Sequence, residues 1–165
     1  MGMEKKDVRL YNLIFPLWLM VLFPPMWLVA LPANFFIDLL VLRLTMKHLN
    51  VHDRKDMSKQ VIVRSWLAGF ASDFLGSILM FLWNLLDVGG ADFVNAVNYN
   101  PFARPDAFLW VTACVAVTGV VIYAFNKKLC LKNLPVSDRE KHKLALSMAV
   151  FTAPYLFYLP TAWFW

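Results

Sequence analysis

The chain has 165 residues, of which 60% are hydrophobic and 16% charged, with a net charge of +5 and a mean hydropathy of +0.56. Soluble domains carry nearer a quarter charged residues, so this composition excludes an ordinary soluble domain and points to a membrane. The basic residues flank apolar runs, which suits anionic headgroups and excludes nucleic acid as a partner.

Residues 1–10 carry Lys5, Lys6 and Arg9 ahead of an apolar stretch. That stretch is too long and too proline-broken for a secretory leader, so it is read as a retained first span. It belongs to a run from about residue 10 to residue 49. As one helix that run would measure about 60 Å, twice the roughly 30 Å of hydrocarbon. Pro24 and Pro25 break or kink it, and LPAN at 31–34 offers a turn with Asn34 capping a new helix. Two segments are therefore expected, 11–31 and 34–49.

Residues 62–87, 107–126 and 144–165 each supply the roughly 20 residues of a crossing. The stretches between them, 88–106 and 127–143, read as loops from their Gly, Pro, Asn and charge content. The segments 1–10, 46–65 and 127–143 hold 3, 5 and 6 of the 16 Lys and Arg residues. A turn near Pro32 puts all three on one side, obeying the positive-inside rule. The expected fold is an all-α, polytopic helical membrane bundle of about five segments forming one domain. Its first segment is proline-broken and its second short; the N-terminus is cytoplasmic and the C-terminus outside. The expected location is a cell membrane, of the bacterial inner-membrane type.

Each segment carries a polar or small stripe at helical spacing: Asn34, Asp38, Thr45 and His48; Ser65, Gly69, Ser72, Asp73, Gly76, Asn84 and Asp87; Thr112, Ala116, Gly119, Tyr123 and Asn126; Ser147, Pro154, Tyr158 and Thr161. Such stripes pack against other helices. Asp38 and Asp73 each lie ten residues inside the assumed cytoplasmic boundary, about mid-bilayer and at equal height. Intramembrane carboxylates on inward faces are site candidates by default. With Asn34, Ser72 and Asn84 beside them, they form the candidate site for protons, cations or a cationic substrate. The competing reading makes them packing glue, with Asp73 paired to Arg43 across a helix interface or one protonated acid hydrogen-bonded to the other helix.

His48 and His52 stand at i, i+4, a spacing that suits zinc on a helix, with His142 a distant third; the HExxH glutamate is missing. Pro154 and Pro160 are read as kinks. The tryptophans and the terminal AWFW suit interfacial belts. Cys114 and Cys130 lie in unlike surroundings and are not expected to pair. No catalytic residue and no cofactor are assigned: there is no phosphate loop, and no nucleophile has a histidine at its depth. Two function classes remain. One is a small membrane subunit or assembly protein whose polar core holds helices together. The other is a small oligomeric transporter or channel using Asp38 and Asp73. The expected partners are the lipid bilayer and either further copies of the chain or another membrane protein.

Overall fold

The computed structural model describes residues 24–86 and 89–160. Among these residues the fold is all-helical, with five α-helices: α1 (Pro24–His48), α2 (Arg54–Leu86), α3 (Gly90–Tyr99), α4 (Pro105–Phe125) and α5 (Asp138–Phe151). Helices α1, α2, α4 and α5 form a ring in which each touches the next and α5 returns to α1. Two apolar clusters hold the ring. One gathers Leu42, Met46, Val61, Ile122, Leu144 and Met148 around the α1–α2 turn and the basic 127–143 segment. The other gathers Met80, Phe93, Val97, Val111, Val115 and Phe157 at the opposite end.

Two helical stretches, Arg54–Trp83 and Pro105–Cys130, are long and apolar enough to cross a membrane. The expected segment 107–126 matches α4 closely. The expected 62–87 begins eight residues late, because Met57, Ser58 and Val61 already turn inward on the first turns of α2.

The reversal expected at 31–34 does not occur. Helix α1 is continuous from Pro24 to His48, with Pro32 inside it. Interior prolines are tolerated where neighbours compensate the disrupted backbone. Here Pro32 faces outward, and the Trp66 indole N–H donates to the Leu31 carbonyl at 3.1 Å, tying α1 to α2 at that turn. Asn34 is thus a mid-helix residue, not a cap. The part of the expected first segment before Pro24 lies outside the described residues. The chain reverses instead at residues 49–53, where Asn50 and Asp53 take left-handed φ of 54° and 52°. Asn and Asp are the non-glycine residues that best tolerate that region.

Two further expectations are corrected. The 88–106 stretch is not simply a loop: it contains α3, whose Phe93, Ala96 and Val97 are buried, followed by a 3-10 turn at Pro101–Ala103. Spacing of those apolar residues at three and four outweighs their Gly and Asn neighbours. The 144–165 segment is not one helix. A capping box starts α5 early, Ser137 accepting from the Glu140 amide and Glu140 from the Ser137 amide. The helix then stops at Phe151, because Pro154 has no amide hydrogen and restrains the residue before it. The Tyr155 N–H bonds back to the Ala153 carbonyl at 2.7 Å, with Pro154 at φ −75°, ψ 65°, an inverse γ-turn. A 3-10 turn, Tyr155–Tyr158, follows. At 14 residues, α5 is about 21 Å long, short of a 30 Å crossing. The proline is a break and not the kink expected.

The buried stripe of α4 also differs from expectation. It is Val111, Cys114, Val115, Thr118 and Ile122, one residue round from the expected set, with Ala116 exposed. Small residues mark close approach less reliably than the branched apolar ones beside them mark a core. Cys114 and Cys130 are both free and both buried, Cys130 although it lies in the basic 127–143 stretch.

Candidate functional site

Because α5 ends at Phe151, among the described residues the half of the ring away from the 127–143 segment is built from three of the four helices. The space left is a partly open cavity of about 620 Å³, walled by α1, by α2, by Phe102 and by the irregular segment 151–160. Asp38 and Asp73 both line it. So do Asn34, Thr152, Tyr155 and Tyr158; the remaining lining is apolar or aromatic.

Asp38 is 5% exposed. It faces Gly69: a Cβ added there would lie 3.6 Å from Asp38 Oδ2, so the carboxylate sits over bare helix backbone. Gly69 and Asp73 are i, i+4 on α2, stacked one turn apart. The two acids are therefore offset by about 6 Å along the axis, not at equal height. One oxygen of Asp73, Oδ1, is buried with no hydrogen-bond partner.

Among the described residues no Lys, Arg or His forms an ion pair with either acid. Among the described residues the ion pairs are Lys59–Asp56 and Arg104–Asp106, both on the surface. Arg43, a candidate partner for Asp73, instead donates from Nε to Ser58 Oγ at 3.2 Å. Two ionised carboxylates in an apolar wall would each cost roughly 2.5–3.5 kcal/mol on the insertion scale. The arrangement can attract a positive group and hydrogen-bond its donors.

The other candidates separate from this pair. Ser72 is fully buried and donates to the Ala68 carbonyl at 2.7 Å; it does not line the cavity. Asn84 lies on α2 near its C-terminal end, and its side chain is outside the described residues. Ser65 and Asn126, which share a 2.7 Å buried hydrogen bond, join α2 to the end of α4. The 127–143 stretch opens with a π turn in which the Leu131 N–H reaches the Asn126 carbonyl at 2.9 Å. His48 and His52 are both exposed. His142 is occupied elsewhere, its Nδ1 2.7 Å from the Tyr123 hydroxyl. Among the described residues no group of three or more His, Cys, Asp or Glu gathers in metal-holding range.

Sequence reasoning missed the aromatic wall. Phe157 wedges beside Gly76, and the Tyr158 hydroxyl donates to Thr112 Oγ1 at 3.0 Å while its ring lies against Phe102 and Phe108. The available signal was Pro154 and Pro160 bracketing YLFYL, a span too short for a helix and too aromatic for a solvent loop. Comparison with protein-family models, curated proteins and solved structures gives no match for this chain.

Proposed function

We propose that this is a multi-pass integral membrane protein whose bundle holds a cationic ligand in an acidic intramembrane cavity, as a small binding or transport component. The observation that carries the reading is the unpartnered Asp73 Oδ1 in the wall of a cavity that Asp38 also lines. If the acids were packing glue, their oxygens would be bonded across helices. The buried cross-helix polar bond is instead Ser65 to Asn126, between residues outside the cavity lining.

The membrane arrangement draws support from charge. The 46–65 and 127–143 segments meet at one end of the bundle, where Val51, Leu131 and Leu134 share a cluster. Arg104 precedes α4 at the other end. We read the basic end as cytoplasmic. Helix α1 runs beside α2 and crosses with it, α5 covers the inner part of the bilayer, and α3 lies at the outer boundary. A five-segment count then rests on residues before Pro24. A bundle this small encloses a transmembrane path only with further copies or a partner.

The test is reconstitution of wild type, Asp38→Asn and Asp73→Asn into liposomes, with binding and uptake of cations measured beside helix content. Loss of binding in either variant with unchanged folding supports the reading. Absence of cation binding in wild type, with the Asn variants impaired only in stability or assembly, overturns it in favour of a membrane subunit.

A further inference from the structure

Resting on the reading of the cavity as a cation site, we infer that its ligand is an amphipathic organic amine: a protonated nitrogen between Asp38 and Asp73, carried on an apolar body against the aromatic wall. Four observations converge on this class. The first is size. A cavity of about 620 Å³ falls within the roughly 300–1,000 Å³ of small-molecule pockets, far larger than a bare ion and its ligands require.

The second is the donor set. A calcium ion takes about 6–8 oxygens, and a magnesium ion near-octahedral oxygen. The cavity presents two carboxylates, the Asn34 amide and the Thr152, Tyr155 and Tyr158 residues, whose hydroxyls are engaged as donors to Met148, Val150 and Thr112. No metal-holding cluster of His, Cys, Asp or Glu forms among the described residues. An ammonium needs far less. Its N–H groups make charge-assisted bonds of about 2.7–2.9 Å to carboxylate oxygens, and acids on the neighbouring helices α1 and α2, offset by about one turn, can share it.

The third is the lining. Trp66, Phe70, Phe74, Phe157 and Tyr158 line the same cavity as the acids. Aromatic faces attract ammonium groups and bury an apolar body, whereas a strongly hydrated inorganic ion gains little from them. The fourth is charge complementarity. Asp38 is nine-tenths buried and, like Asp73, has no described cation in ion-pair range. A ligand bringing one positive charge supplies what the described residues do not place beside the acids. A neutral lipid would fill the volume and leave the acids uncompensated.

The experiment uses the full chain in nanodiscs of zwitterionic lipid. Equilibrium dialysis measures 2-phenylethylamine, its uncharged counterpart 2-phenylethanol, sodium and calcium. The expected result is saturable amine binding, at least tenfold tighter than the alcohol. It weakens tenfold or more in Asp73→Asn and in Ala33→Trp, which fills the cavity from α1 and keeps both acids, so the test survives if the Asn variant fails to fold. Saturable sodium or calcium binding without amine binding overturns this inference while the cation-site reading stands. Binding of none of the three cations overturns both. Equal binding of amine and alcohol, or amine binding indifferent to both substitutions, means partitioning into lipid and overturns the inference. So does native mass spectrometry showing a retained neutral lipid that amine does not displace.

Discussion

Substituting Gly76 tests how α2 and α4 approach each other. A Cβ built on Gly76 collides with Thr118 Oγ1 and comes within 3.0 Å of the Phe157 ring. Thr118 is 1% exposed, and its hydroxyl donates to the Cys114 carbonyl at 2.8 Å, so it cannot swing aside without losing that bond. Overpacking costs about 1–3 kcal/mol and the lost hydrogen bond about 0.5–1.5 kcal/mol. Replacing a mid-helix glycine by alanine returns about 1 kcal/mol. The net expectation for Gly76→Ala is a destabilisation of about 0.5–3.5 kcal/mol. Gly119 is the internal control: its added Cβ would meet the Ala149 carbonyl at 3.6 Å, an ordinary contact. Gly119→Ala should therefore gain up to about 1 kcal/mol from propensity alone. Equilibrium unfolding in mixed micelles, followed by circular dichroism, reads both. If Gly76→Ala is as stable as wild type, or both variants shift the same way, the claimed close approach is wrong.

The Ser65–Asn126 bond should show up as an interaction energy. Ser65→Ala is expected to lose about 0.6–1.7 kcal/mol, and a double-mutant cycle with Asn126→Ala should return a coupling of about 0.5–1.5 kcal/mol; a coupling of zero refutes the contact. The capping box at α5 predicts a pH dependence. Hydrogen bonds from the Ser137 hydroxyl and backbone N–H hold the Glu140 carboxylate below its ordinary 4.5. A depressed folded value means that the stabilisation is complete above about 4.5 and fades as the pH falls through the folded value. The stability difference between wild type and Glu140→Gln should accordingly shrink on acidification and stay constant from pH 6 to 8; a difference that grows in acid contradicts the box.

How much of this was legible in sequence depends on which force set each element. Helix α4 was readable to within two residues, because an apolar run of crossing length bounded by Pro105 and Asn126 leaves little choice. Periodicity alone put Asp38 and Asp73 on inward faces, and both line the one cavity described above. The turn at 31–34 was misread because Pro-Ala-Asn is a local turn signal, whereas the tie from Trp66 to Leu31, 35 residues away, is tertiary and invisible locally. The break after Phe151 was underweighted for the converse reason: apolar content suggested a span, and Pro154 decided otherwise. The relative height of the acids needed the α1–α2 register, which the Arg43–Ser58 and Phe35–Trp66 contacts set and no helix-by-helix count supplies. The aromatic wall depended on where the chain goes once α5 stops.

Cys114 and Cys130 are 2% and 4% exposed, so the native sulfurs are shielded from solvent. A maleimide reagent added to intact vesicles should therefore find a dark background. Single thiols engineered at Lys55, Asp92 or Lys128 then report sidedness without first stripping the chain of its own cysteines, and the packing that Cys114 contributes beside Val111 and Val115 can be left untouched.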